Sequence, residues 1–389
     1  MKLGGSNIVM GGVWLMLSAC SGSYEVGFEP TAGSSGKGAG DVGGDTSSGS
    51  TSGQAGGSVV PPGSGGSGGS TDPGQGDPGP GPDSTCGFGP SAPDTVVAPT
   101  ATSDEVAERV YRFLEGAGAP EQTRPAVPTA DWSARLAEAI LDAHFAAGTS
   151  VPGLEHFLYT FIDPKVDLDA EPLTVPGTWA TKLADPDATL ATLLAEPTGE
   201  PHRMGILTEP EVLAQHPSIS PRGVWMSEKL FCREVPPPPA NIPMLTAPVE
   251  GQSRRESLAI QVANPSCTAC HQLTDPPAFS LENFDEVGEY RELDNGVAVD
   301  ASGTLSQSLV GNAPPMSFES WEDLAPQLAE SCAVAQCFSN SVAGFAGVQA
   351  DRIVFSEAEA NQIANAFADS GFSVRALVRA IVTNRAFLR

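Results

Sequence analysis

The sequence predicts a mainly α fold behind a disordered N-terminal tether, and three observations carry that expectation. Of the chain's 43 glycines, 23 lie between residues 21 and 90, among Ser, Pro, Thr and Asp and almost no large apolar side chains. Past residue 100, apolar residues recur at three- and four-residue spacing behind good N-cap residues. No β-α-β alternation appears, so a parallel sheet is not expected.

Residues 1–20 read as an export signal. Lys2 gives a positive start, and Ile8 to Leu17 form an apolar run too short to stay in a bilayer as a spanning helix. The run ends in Leu17-Ser18-Ala19-Cys20, which resembles the bacterial lipobox, so Cys20 is expected to be lipidated and to become the new N-terminus. With Ser21 rather than aspartate after it, the lipoprotein sorting rule implies the outer membrane, periplasmic or surface face left open. The membrane is then met through a lipid anchor only. Residues 21–100 cannot bury enough surface to offset their ordering entropy and read as a disordered tether with a reach of roughly 45 Å.

Residues 101–200 read as an N-terminal helical region. Ser103 is placed to cap a helix carrying Val106, Val110, Phe113 and Leu114, with Asp104 and Glu105 in its first turn. Asp131 opens a second helix through Trp132, Leu136, Ile140 and Leu141, ending near Gly148. Shorter helices are expected at 154–162, 178–195 and 222–232, and Pro236–Pro248 reads as an extended crossing segment. Within residues 201–389, helices follow at 253–263, 320–331, 333–346, 356–370 and 373–384, the last two capped by Ser356 and Ser373. Asp294-Asn295-Gly296 is a turn signal that can join Tyr290–Leu293 to Val297–Asp300 in a small hairpin.

The formal net charge is −27 with no basic cluster, which excludes nucleic acid as a partner, since a polyanion would be repelled. No G-x-S-x-G, H-E-x-x-H or phosphate loop is present.

Chemistry concentrates at Cys267-Thr268-Ala269-Cys270-His271. A c-type haem needs two thiols for thioethers and an adjacent imidazole for the iron, and C-x-x-C-H supplies all three on about one helical turn. Chance would produce the pentapeptide on the order of once in several hundred such sequences. Zinc would need two further ligands, and Cys332 with Cys337 makes a poor second knuckle. A thioredoxin-like dithiol wants a β-α-β context, and a structural Cys267–Cys270 disulfide is the remaining competitor. The expectation is a helical, cytochrome-c-like haem domain at 201–389 holding one covalent haem c, with Cys267 and Cys270 as thioether carriers and His271 as proximal ligand. For the sixth position, Met316 in Pro314-Pro315-Met316-Ser317-Phe318 sits in the kind of loop from which small cytochromes offer a thioether. Met204, Met226, Met244, His202 and His216 precede the motif and can fold back to it, and an iron open to water is the alternative. Phe279, Leu281 and Phe284 can cover a haem edge or simply pack in the core. Arg291 can hold a propionate, or join Glu282 and Asp285 in a charge network.

The haem motif, followed by Asp275-Pro276-Pro277-Ala278-Phe279-Ser280-Leu281-Glu282-Asn283-Phe284-Asp285, then Gly288 and Arg291, resembles the cytochrome-associated domains of unknown function of planctomycetes and myxobacteria. The resemblance extends upstream through Gly205-Ile206-Leu207-Thr208, Ser220-Pro221-Arg222-Gly223-Val224-Trp225 and Leu230-Phe231-Cys232, and downstream through Asp300-Ala301-Ser302-Gly303 and the closing helix to Phe387. Ser103 to Leu114 is similar to the helix that opens the family's companion N-terminal domain, so the likeness spans roughly residues 103–389 and is specific at 204–303. Ala278 stands where that family usually has glycine. The resemblance implies an envelope c-type cytochrome, and cysteines at positions 232 and 337 that pair with each other. By residue count alone, Cys86, Cys232, Cys332 and Cys337 allow three full pairings. A helix through Cys332 and Cys337 would hold their Cα atoms about 7.5 Å apart, too far to bridge. Cys86, at the end of the tether, can pair with Cys332. The leading function is electron transfer with an unidentified envelope redox partner. A haem oxidoreductase with an open distal site, and a binding lipoprotein with a vestigial motif, are the alternatives.

Overall fold

The computed structural model describes residues 86–92, 101–116, 119, 132–146, 151–162, 174–237, 247–311, 313–350 and 352–389. The segment read as an export signal, with Cys20, the stretch read as a tether up to residue 85, Asp131, Gly148 and the stretch 238–246 with Met244 lie outside the described residues.

Helix α1 (Ser103–Glu115) is capped by Thr102, one residue ahead of the expected Ser103. The Glu105 amide donates to the Thr102 hydroxyl at 3.3 Å and the Thr102 amide to the Glu105 carboxylate at 2.7 Å, a reciprocal box that fixes the start. After α2 (Trp132–Ala146) and α3 (Pro152–Ile162), the single helix expected at 178–195 is two, α4 (Val175–Leu183) and α5 (Leu190–Leu194). Asp185-Pro186-Asp187 separates them: Pro186 has no amide to donate and disfavours helical backbone at Asp185, whose carboxylate accepts from the Asp187 amide at 2.9 Å. A 3-10 turn at Ile206–Thr208 and α6 (Pro210–Gln215) lead into α7 (Ile219–Phe231). Ser253 and Glu256 box the start of α8 (Arg254–Gln261), and α9 (Pro265–Phe279) follows at once.

Strands β1 (Leu293–Asp294) and β2 (Val297–Ala298) pair Leu293 with Ala298 and Asp294 with Val297. Asn295 and Gly296, both at positive φ (51° and 84°), make the two-residue turn, so the hairpin is tighter than the one expected from 290 to 300. A second ladder, β3 (Gly303–Leu305) with β4 (Met316–Phe318), brackets α10 (Gln307–Val310). Met316 therefore lies in a strand opposite Leu305, where a loop was expected. Helices α11 (Trp321–Ala329), α12 (Cys332–Gln349), α13 (Glu357–Asp369), α14 (Val374–Val382) and α15 (Arg385–Leu388) close the chain. Ser356 and Ser373 cap α13 and α14 as the sequence predicts. The fold is mainly α, and among the described residues no helix is long and apolar enough to cross a membrane.

The described residues from Cys86 to Arg389 belong to one compact unit, and its main buried cluster runs from Ala101 to Leu388. Three tryptophans join the elements before residue 200 to those after it or brace the same junction. The indole N–H of Trp225 donates to the Phe161 carbonyl at 2.9 Å and that of Trp179 to the Glu209 carboxylate at 3.0 Å. Trp321 donates to the Met204 carbonyl at 2.8 Å. Two disulfides add covalent ties, Cys232–Cys337 from the end of α7 to α12, and Cys86–Cys332. The second reaches into the stretch that the sequence reads as tether. Residues 86–92 are held against the body by that bond, by the Ala92 amide on the Ala358 carbonyl (2.9 Å) and by the Phe88 amide on the Asn365 side chain (3.2 Å).

Candidate functional site

The site is the contact between α7 and α9. Helix α9 carries Cys267, His271, Thr274, Asp275 and Ala278 at i, i+4, i+7, i+8 and i+11, one face of a 3.6-residue helix. Thr274, Asp275 and Ala278 are buried on that face, while Cys267 and His271 are half-buried and Cys270 is exposed beside them. The two helices meet backbone to backbone at Gly223. A Cβ there would lie 2.0 Å from the Thr274 carbonyl oxygen and 3.2 Å from the Asp275 Cα, so only glycine permits the approach.

His271 is held from one side. Its Nδ1 donates to Asp275 Oδ2 at 2.8 Å, and the Ser220 hydroxyl from α7 lies 3.3 Å from the same nitrogen. Asp275 is 3% exposed and its other oxygen accepts from the Thr274 hydroxyl at 3.3 Å. Burial pushes the Asp275 carboxyl up from its ordinary value, opposed by the charge and hydrogen bond of His271 and by the Ser220 and Thr274 hydroxyls. Among the described residues Nε2 of His271 takes no hydrogen-bond partner.

Arg222, one residue before Gly223, is the second clamp and is 1% exposed. Its Nε donates to the His216 carbonyl at 3.0 Å, Nη1 to the carbonyls of Leu281 (2.9 Å) and Phe284 (3.2 Å), and Nη2 to that of Asp285 (3.2 Å). The guanidinium thus ties the segment leaving α9 back to α7. Burial lowers its pKa to about 10, while the nearby Glu282 carboxylate works in the opposite direction. Glu282 is itself pushed up by burial, against the pull of Arg222 and Arg291. A small satellite core of Ile219, Leu258 and Ala278, with Phe279 and Val262 packed against it, joins the start of α7 to α8 and to the end of α9. Arg255 of α8 lies over the Phe279 ring, 3.9 Å from its centroid.

The other residues singled out in the sequence fall as follows. Leu281 and Phe284 are buried in the main core, which is the packing role, and Phe279 lies partly buried between the two cores. Arg291 donates to Asp294 at 2.5 Å, to the Glu282 carbonyl at 3.1 Å and to the Glu282 carboxylate at 3.4 Å, so its guanidinium is engaged by protein partners. Asp285 stands apart from that network, with its carboxylate accepting from the Val287 and Glu289 amides, each at 2.9 Å. Met316 and Met204 pack against the main core and Met226 is fully buried in it. His216 stacks on Trp225 and reaches the Ile162 carbonyl at 2.8 Å. His202 stacks on Tyr290 and reaches Glu322 at 3.0 Å.

Sequence reasoning missed Asp275, Ser220, Arg222 and Gly223 as parts of the site. The spacing of Asp275 from His271, four residues within one helix, is the signal that could have found their pairing. Arg222 and Gly223 carry no local signature of their own.

These residues fit a c-type haem on three counts. Cys267 and Cys270 are the two free cysteines among the described residues, the other four being in disulfides. They share one helix and an accessible face with the imidazole. The imidazole is fixed through Nδ1, which leaves Nε2 for a metal, the arrangement in which metal-binding histidines are held. Among the described residues no three His, Cys, Asp or Glu side chains gather as a metal-holding group of their own.

Residues 203–294 match the family model PSCyt3, protein of unknown function (DUF1588). The matched stretch contains α7, α8, α9 and the turn into β1, and so the whole of the site. No curated protein and no solved structure matches the chain.

Proposed function

We propose that this chain is an exported, lipid-anchored protein of the cell envelope that carries one covalent c-type haem and transfers electrons. Cys267 and Cys270 would hold the haem by thioethers and His271 would be its proximal iron ligand. The observation that carries the reading is the one-sided hold on His271 beside two unpaired thiols. A haem supplies a one-electron ferric/ferrous couple. The chain's own part is to fix the ligand: Gly223 brings α7 against α9, Arg222 secures the segment beyond α9, and Asp275 sets the imidazole's tautomer.

A haem oxidoreductase with an open distal site is the second reading. It is favoured by where the described candidates for a sixth ligand sit, with Met226 buried in the main core, His216 on Trp225 and His202 on Glu322.

Expression with a cytochrome c maturation system, followed by a haem stain on a denaturing gel and a pyridine haemochrome assay, is expected to give one haem per chain. Cys267→Ala with Cys270→Ala should abolish it, and a wild-type chain without covalent haem would reject the proposal. A methionine–iron charge-transfer band that disappears in Met316→Ala supports the closed, electron-carrying form. Its absence together with cyanide binding supports the open one. Metabolic labelling with a fatty acid, lost in Cys20→Ala, tests the anchor.

A further inference from the structure

We propose that Asp275 is a positioning residue that sets the donor strength of His271 and thereby biases the site towards ferric iron. The inference rests on the reading of His271 as an iron ligand, and deepens it.

Both polar contacts of His271 fall on one ring nitrogen. Asp275 lies one helical turn beyond His271 on the buried face of α9, and its Oδ2 accepts from Nδ1 at 2.8 Å. The carboxylate has little freedom to turn away. It is 3% exposed, its Oδ1 accepts from Thr274, and the Gly223 backbone contact lies directly behind Thr274 and Asp275. Pro276 and Pro277 follow inside the same helix and lack the amides that would otherwise bond the carbonyls of Gln272 and Leu273, so the acid sits where α9 passes from regular helix to its proline-bearing end.

Ser220 approaches the same nitrogen, at 3.3 Å. A hydrolytic Ser-His-Asp relay requires serine and acid on opposite ring nitrogens, so this trio is not one. Both groups instead leave Nε2 pointing away from them. An imidazole that donates from Nδ1 to a carboxylate takes on part of the anion's charge and becomes a stronger donor through Nε2 than one facing a neutral carbonyl. A stronger donor stabilises the more highly charged metal state, which lowers the reduction potential. The partner that reduces such a site must itself be a strong one-electron donor.

The test uses the full-length, haem-loaded wild type, Asp275→Asn, Asp275→Glu and Ser220→Ala, with haem content, circular dichroism and spectroelectrochemical potential measured on each. In Asp275→Asn the haem content should hold while the ferrous-to-ferric ratio at a fixed applied potential rises at least tenfold, which for one electron is ~59 mV. Asp275→Glu should restore part of that shift, and Ser220→Ala should move the ratio by less than about threefold, its contact being the longer of the two. A loaded, folded Asp275→Asn protein within about twofold of wild type overturns this inference alone. A wild-type chain that takes up no haem overturns the parent reading and this one with it. Should Asp275→Asn not fold, the iron–imidazole stretch of the ferrous wild type decides the matter. Read on the five-coordinate ferrous form of both, a frequency above that of the excised haem peptide ending at Leu273, in which His271 is the one axial ligand and Asp275 is missing, supports the carboxylate's influence, and an equal frequency overturns it.

Discussion

Replacing Gly223 by alanine adds one methyl group where α7 touches α9. That carbon would sit 2.0 Å from the Thr274 carbonyl oxygen and 2.8 Å from its carbonyl carbon. Close C–H···O contacts settle near ~3.3 Å, so the helices must separate by more than about 1 Å. The obstructing atoms are backbone, and neither helix is free to drift. Arg222 ties α7 to the segment beyond α9, and Cys232 ties its far end to α12. Overpacking of this kind costs about 1–3 kcal/mol, and the rigid surroundings place this case near the upper end. Helix propensity returns about 0.5–1 kcal/mol for Gly→Ala, leaving a net loss of about 2 kcal/mol. Gly344, inside α12 with nothing within 4 Å of where a methyl would stand, is the internal control. Gly344→Ala should stabilise the fold by about 0.5–1 kcal/mol through propensity alone. Urea unfolding followed by circular dichroism measures both. The reasoning is refuted if Gly223→Ala is as stable as wild type or if the two substitutions move the midpoint in the same direction.

Arg222→Met keeps the apolar stem but strips the donors from the buried carbonyls of Leu281 and Phe284, at about 1–3 kcal/mol each. The expected outcome is a lower urea midpoint together with faster amide exchange over 281–285. Glu359 gives the acid limb of stability. Burial alone would raise its carboxyl, but the Ser356 amide and hydroxyl and the Arg385 guanidinium outweigh that and hold it below its ordinary 4.5. Its contribution is therefore full above 4.5 and is lost as pH falls through the lower folded value, so Glu359→Gln should flatten the loss of stability measured below that pH. Cys232–Cys337 closes a span of 105 residues, and Cys232→Ser with Cys337→Ser should cost about 2–5 kcal/mol. A reductant titration of the wild type that leaves the midpoint unchanged would contradict that figure.

Much of the scaffold could be read from the chain because its signals are local. Ser356 and Ser373 cap where expected, and Asn295-Gly296 makes a hairpin turn because both positions tolerate left-handed backbone. A helix through both Cys332 and Cys337 keeps them from each other, and each meets a distant partner instead. What could not be read depends on tertiary contact. The full length of α9 was hidden by Pro276-Pro277, a pair that argues against helix unless neighbouring elements satisfy the carbonyls it strands. The β3–β4 ladder is three residues long on each side, and its strands are separated by a segment that includes another helix, so no hairpin signal precedes it. In the site, the C-x-x-C-H motif is a linear pattern, but its supports Arg222 and Gly223 lie far upstream, and their roles exist only once α7 and α9 are crossed.

The six cysteines among the described residues divide into two bonded pairs and two free thiols, and the two kinds differ in how a reagent can reach them. Cys86 and Cys337 are buried, so an oxidant reaches them most readily before the chain closes around them. Cys267 and Cys270 lie on an accessible face and stay reachable afterwards. Each disulfide thus has one buried partner, whereas neither cysteine on α9 is buried. An alkylating reagent applied to the folded, unloaded body should mark two of these six cysteines, and the mark should vanish once a thioether occupies them.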